Sequence, residues 1–174
     1  GVWGWKTAYD ACEAATVLFL GRHGAAMRAK AASPADMLSM LTRIASLLPT
    51  QTRRSEESES LQQFSTPIGL AYVASVAAAI TPADVVLEPS AGTGHLAVLA
   101  ELAGASLVLN EFAESRAGVL GQLFPAVSTT RFDAAHINDH LDGRIVPSVV
   151  LMNPPFSAAV HVDRRVADAA LRHV

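Results

Sequence analysis

Asn153-Pro154-Pro155-Phe156 is the run of residues in this sequence best suited to chemistry. Two prolines stiffen the turn and fix how the Asn153 amide and the Pro154 carbonyl point. Both oxygens are acceptors that can take the two hydrogens of an exocyclic amine. Phe156 offers a ring on which a planar base or amide can stack. A purely structural turn could use the prolines, but it would need neither the asparagine nor the phenylalanine. A second group is Glu88-Pro89-Ser90-Ala91-Gly92-Thr93-Gly94. Gly92 and Gly94 let backbone approach a ligand closely and can take positive φ. No lysine follows the glycines, and the third glycine of the dinucleotide spacing is missing, so the phosphate-binding fingerprints do not fit. The carboxylate of Glu88 suits a cationic or amine-bearing ligand better than a pyrophosphate. The plain alternative is an ordinary strand–helix turn. Glu111, 19 residues beyond Gly92, can accept from both hydroxyls of a ribose, although a surface glutamate after a strand is common. Asp133 can accept from an adenine amino group, or cap a following helix.

These groups need a scaffold that brings them to one place. Asp84 to Glu88, Ser106 to Leu109, Val127 to Phe132 and Pro147 to Met152 read as short buried strands. Helices are predicted before the first of them and between the next ones. Thr66-Pro67 opens one that runs to about Ile80; His95 to Ala103 is closed by Gly104; Glu114 to Phe124 is ended by Pro125. Solid apolar strands separated by helices predict an α/β fold with a parallel sheet covered on both faces. In such open sheets ligands bind beyond the carboxyl ends of the strands. All four groups sit at such ends.

The first third reads as helical. Trp5 to Leu20 sets Ala8, Cys12, Ala15 and Phe19 at helical spacing, with Gly21 as the stop. Ser33-Pro34-Ala35-Asp36 is a helix start, with Met37, Leu38, Leu41, Ile44 and Leu48 on the buried face and Pro49 as the close. The polar run Arg53 to Ser60 reads as a solvated linker or helix face. Residues 1–60 are thus a helical N-terminal segment, and residues 61–174 carry the sheet. No internal repeat or low-complexity tract interrupts them.

Composition limits the function classes. With 174 residues, 51% hydrophobic and 17% charged, the chain is neither disordered nor collagen-like and has material for one core. The apolar stretch Ile68 to Ile80 stops short of a membrane span, so no membrane association is expected. Gly1 to Leu20, carrying Lys6, Asp10 and Glu13, does not read as a signal peptide. The single cysteine, Cys12, allows no intrachain disulfide, and a reducing, cytoplasmic setting is expected. Net charge is −3; residues 1–63 hold 7 basic and 6 acidic groups, residues 64–174 hold 6 and 10. A self-sufficient nucleic-acid binder usually carries a basic excess. This chain does not. His136 and His140 stand at i, i+4 without an evident third ligand, so a solvated turn is preferred to a metal site. His95 simply opens its helix, and Trp3 and Trp5 read as core or partner-facing.

With these residues in view, the chain resembles the S-adenosyl-L-methionine-dependent amino-methyltransferases, particularly the N6-adenine DNA methyltransferases. Glu88 to Gly94 looks like the family's cofactor loop, Asn153-Pro154-Pro155-Phe156 like its catalytic tetrapeptide, and Phe64-Ser65-Thr66-Pro67 like its additional cofactor motif. The order of these motifs is similar to the gamma arrangement. The resemblance covers roughly residues 61–160. More narrowly, Trp5 through Phe156 looks like the methylase region of bacterial strawberry-notch-like proteins, which join a methylase to a helicase.

The resemblance implies a Rossmann-like class I methyltransferase sheet of which about four strands are present, preceded by the helical segment. It implies that the methionine end of the cofactor lies over the Glu88–Gly94 loop with Glu88 beside it. Asn110-Glu111 would meet the ribose and Asp133 with Ala134 the adenine, while Phe64 to Pro67 close the pocket. A flipped adenine would stack on Phe156 and donate to Asn153 and Pro154. The absence of a cysteine near the site argues against cytosine-C5 chemistry. Because the family's sheet has seven strands, an uncovered fourth-strand edge is expected to meet further chain or another chain. The net −4 of residues 64–174 implies that DNA is gripped largely through other regions. Two further readings stay open: transfer to guanine amines in RNA or glutamine in protein, and a non-catalytic scaffold attached to a helicase.

Overall fold

The computed structural model describes residues 4–49 and 65–154. Four stretches pair as strands: β1 (Val85–Glu88), β2 (Ser106–Asn110), β3 (Thr129–Thr130) and β4 (Val149–Val150). Every pairing is parallel, and the order is β3-β2-β1-β4. The chain winds outward from β1 through β2 to β3, then returns to the other side of β1. That reversal puts a topological switch point at the carboxyl ends of β1 and β4, the place where open α/β sheets take their ligands. Val86, Leu87 and Leu109 are fully buried at the sheet centre, as strands covered on both faces require.

Among the described residues six α-helices accompany the sheet: α1 (Trp5–Lys30), α2 (Pro34–Ser46), α3 (Ile68–Ala77), α4 (His95–Ala103), α5 (Glu114–Leu123) and α6 (Ile137–His140). A 3-10 turn, Ala134–His136, leads into α6. Leu20 of α1 and Leu41 of α2 join Leu109 and Leu120 in a single cluster. The α/β fold expected from the sequence is the one found.

Several element ends match their local signals. Ser33 Oγ accepts from the Asp36 amide at 3.2 Å, and Gly104 closes α4 in the left-handed conformation (φ 95°). Met37 and Leu41 are buried on α2, while Leu38, Ile44 and Leu48 are half-buried. Helix α3 stops at Ala77 rather than Ile80. The third and fourth apolar runs form ladders of only two residues each, because hydrophobic length exceeds the length that finds a partner strand.

Helix α1 corrects the sequence expectation twice. It does not stop at Gly21 but continues to Lys30. Gly24 faces α4 so closely that a Cβ would stand 2.5 Å from Leu102 Cδ1, so this glycine serves close packing and not termination. The buried face is also different. Tyr9, Asp10, Glu13, Thr16, Val17, Leu20 and Gly24 are buried, whereas Ala15 and Phe19 are exposed. The polar residues of α1 turn inward because the glycine loop and α5 supply hydrogen-bond partners for them. No helix among the described residues is long and apolar enough to cross a membrane.

Candidate active site

The glycine loop begins where β1 ends. Pro89 is fully buried, the Ala91 amide donates to the Asn110 carbonyl at 2.9 Å, and the Gly94 amide donates to the Ala91 carbonyl at 2.9 Å. Gly92 (φ 57°) and Gly94 (φ 92°) are both left-handed, which favours glycine. They differ in their surroundings. A Cβ on Gly94 would strike Phe124 at 2.5 Å, so α4 starts where α5 ends only if this residue is glycine. A Cβ on Gly92 would meet only Arg116 Nη1, at an ordinary contact distance of 3.8 Å, so a side chain there is strained by the backbone but not obstructed.

Glu88 closes β1 with 2% of its surface exposed, and its Oε2 has no hydrogen-bond partner among the described residues. Burial pushes its carboxyl well above the ordinary 4.5; the negative charge of Glu111 adds to this, and the Ala97 amide in the first turn of α4 opposes it. The idle acceptor beside a glycine loop is suited to a donor on a ligand, and a cationic one would favour the ionised form that burial opposes.

Glu111 follows β2. Its Oε2 accepts from the Gly92 amide at 2.7 Å and its Oε1 from the Ala113 amide at 2.9 Å. These bonds aim the carboxylate at the loop and occupy two of its roughly four lone-pair sites, so hydroxyl donors can still be accepted. Asn110 is fully buried and has no such capacity left. Its Nδ2 donates to the Pro89 and Phe132 carbonyls at 2.9 Å each, and its Oδ1 accepts from Thr130 Oγ1 and the Phe132 amide at 2.8 Å each. Asn110 therefore clamps the ends of three strands together. Asp133 is exposed and caps the 3-10 turn, Oδ1 accepting from the Ala135 amide at 3.0 Å; Ala134 lies in that turn.

The tetrapeptide leaves β4 on the same side. Val86 pairs with Val149 and Leu87 with Val150, and the Leu151 amide donates to the Leu87 carbonyl at 3.0 Å. Asn153 and Pro154, both half-buried, follow two and three residues beyond Leu151. Parallel pairing sends the chain out past Glu88 on one strand and past Asn153 on its neighbour, at the same edge of the sheet. Pro155, Phe156 and Phe64 lie outside the described residues, as do Trp3 and the polar run Arg53 to Ser60.

Ser65 and Thr66 meet the glycine loop through two contacts. Ser65 Oγ donates to Glu13 Oε2 at 2.6 Å, and the same oxygen accepts from Thr93 Oγ1 at 2.7 Å. His95 Nδ1 donates to the Thr66 carbonyl at 2.8 Å, so His95 does more than open α4. Pro67 is exposed at the start of α3. Beside this, Asp10 Oδ1 accepts from Nε and Nη2 of buried Arg116 at 3.1 and 3.0 Å. Sequence reading had no role for Asp10, Glu13 or Arg116. Their spacing on α1 (i, i+3) was visible, but their partners lie far along the chain. His140 stacks on Phe132 at 4.5 Å, and no group of three or more metal-ligating side chains stands together among the described residues.

No protein-family model matches this chain, and no curated protein matches it. Among solved structures it is similar to one from Pyrococcus horikoshii described as a "putative RNA methyltransferase", with a TM-score of 0.59 and 24% identity. The match covers 76% of this chain, which spans 66% of that one. The likeness is one of fold. It defines the class of fold: an open, parallel α/β sheet with its glycine loop after the first strand.

Proposed function

We propose that this chain is an S-adenosyl-L-methionine-dependent methyltransferase domain acting on an exocyclic amine, with N6 of adenine in DNA as the leading acceptor. The reading is carried by one observation: β1 and β4 are parallel neighbours, so the glycine loop and Asn153-Pro154 emerge at one edge. The loop fits the cofactor on its own terms, through the unobstructed left-handed turn at Gly92 and the idle buried oxygen of Glu88. When bound, S-adenosyl-L-methionine supplies an electrophilic methyl group on a sulfonium.

The chain's residues bind and orient. Glu88 accepts from the ligand's ammonium and Glu111 from ribose hydroxyls. Asp133 offers an acceptor toward the adenine. Asn153 Oδ1 and the Pro154 carbonyl accept the two hydrogens of the target amine, which withdraws its lone pair from the ring and aims it at the donor. Phe156 stacks the target base. No covalent intermediate on the protein is required.

The test is calorimetric titration with S-adenosyl-L-methionine, followed by transfer of labelled methyl to DNA, RNA and protein acceptors. Asn153→Ala should lower transfer at least about 100-fold while leaving cofactor affinity within about threefold. Surviving transfer would remove the assigned role. Gly92→Val should act in the opposite sense, weakening cofactor binding at least about tenfold by filling the space over the loop. No binding heat with the wild-type chain overturns the proposal. A second reading, transfer to an amine in RNA, is favoured by the description of the Pyrococcus structure, and labelled RNA in place of DNA would select it.

A further inference from the structure

We propose that α1 is a working part of the ligand site and that Glu13 is its positioning residue, holding the glycine loop and the segment before α3 at a set separation. This rests on the reading that the loop binds S-adenosyl-L-methionine. Glu13 is 2% exposed, and a single oxygen, Oε2, accepts from Thr93 Oγ1 and Ser65 Oγ, 80 and 52 residues away. Thr93 lies between the two left-handed glycines, and Ser65 lies in the stretch that resembles a second cofactor motif. One carboxylate thus ties together the two segments proposed to enclose the ligand.

A second tie runs from the same helix face. Asp10, three residues before Glu13, holds the Arg116 guanidinium, whose Nη1 stands 3.8 Å from where a Gly92 Cβ would be. Arg116 is thus held to α1 next to the loop, while Glu13 bonds to the loop itself. Hydrogen bonds to a carboxylate are short and directional, about twice as strong as neutral ones. Apolar packing on this face would serve stability at least as well. What the carboxylates add is geometry, and displacements near 1 Å in a binding constellation are felt as large losses of function.

The experiment uses the 174-residue chain. Glu13→Leu, Glu13→Gln, Ser65→Ala/Thr93→Val and Glu13→Leu/Thr93→Val are titrated with S-adenosyl-L-methionine. Amide exchange at Gly94 is followed without ligand. In a folded Glu13→Leu chain, affinity should fall about tenfold and exchange at Gly94 should speed about tenfold, with Leu120 in α5 unchanged. Glu13→Gln, which keeps an acceptor oxygen, should recover most of both. Adding Thr93→Val to Glu13→Leu should cost nothing more, since the two share one interaction. If Glu13→Leu does not fold, the Ser65→Ala/Thr93→Val chain removes the same donors and should show the same losses.

Wild-type affinity and exchange in either folded chain overturn the inference. A wild-type chain that takes up no S-adenosyl-L-methionine overturns the functional reading instead. The Gly94 exchange then still decides: faster exchange supports Glu13 as the loop's anchor, and unchanged exchange removes it.

Discussion

A carboxylic acid shut away from water keeps its proton longer than one at the surface, and Glu88 is shut away with Glu111 nearby. The consequence for stability has a definite sign. With a folded-state pKa raised above the ordinary 4.5, the native chain binds more protons than the unfolded one, so stability is full below about pH 4.5 and falls as pH climbs through the raised value. Within that window the slope is about 1.4 kcal/mol per pH unit, or about 3–5 °C in Tm for a chain of this size. Glu88→Gln should remove this slope. Thermal unfolding of both chains from pH 4 to 8 checks it, and parallel curves would show that Glu88 ionises without penalty. At this scale the sequence was legible wherever the signal is local. Glu88 and Glu111 stand at strand ends beside the loop, and the expected pairing of glycine turn and Asn153-Pro154 at one edge is what the strands produce. Asn110 was legible in position but not in duty, since its four bonds go to protein groups at the ends of the two strands that flank its own.

Between elements, the contact that most constrains the loop is the approach of α4 to α5. Gly94 begins α4 in the left-handed region with Phe124 and Leu120 packed against the space a side chain would fill. Gly94→Ala should therefore lower stability by about 2–4 kcal/mol, from backbone strain and overpacking together. Gly92→Ala, strained but unobstructed, should lower it by only about 1–2 kcal/mol. Urea unfolding distinguishes the two, and equal losses would mean that the Phe124 ring moves aside freely. Helices α2 and α4 were read well because caps, prolines and glycines act within a few residues. Helix α1 was read on the wrong face. Spacing of apolar residues assumes that polar ones seek water, whereas Asp10, Glu13 and Thr16 find buried partners: Asp10 an arginine, Glu13 hydroxyls, and Thr16 the Cys12 carbonyl.

Across the whole molecule, the helical first third and the sheet share one hydrophobic cluster, in which Val17, Leu20, Met37 and Leu41 pack with Val86, Leu109 and Leu120. A shared core predicts a single cooperative transition. The two tryptophans, Trp3 and Trp5, stand at the start of the chain, so their fluorescence reports on the α1 end while far-UV dichroism reports on all helices. The two probes should give one midpoint in urea. Leu20→Ala should shift both together by about 2–5 kcal/mol, and an earlier change in fluorescence alone would show that α1 detaches first. The parallel architecture was legible from apolar strands alternating with helices. The joining of its halves was not, because nothing local announces a contact between residues 10 and 116 or 13 and 93.

That long reach bears on how the protein is made. Ribosomes add about 5–20 residues per second, so the 80 residues separating Glu13 from Thr93 take roughly 4–16 s to follow. Ser65 joins Glu13 earlier and Lys6 meets Asp10 within the helix itself, so it is the bond to Thr93 that waits this long. The inward face of this helix is polar as well as apolar, and its hydrogen bond to the glycine turn can close only once Thr93 has been added.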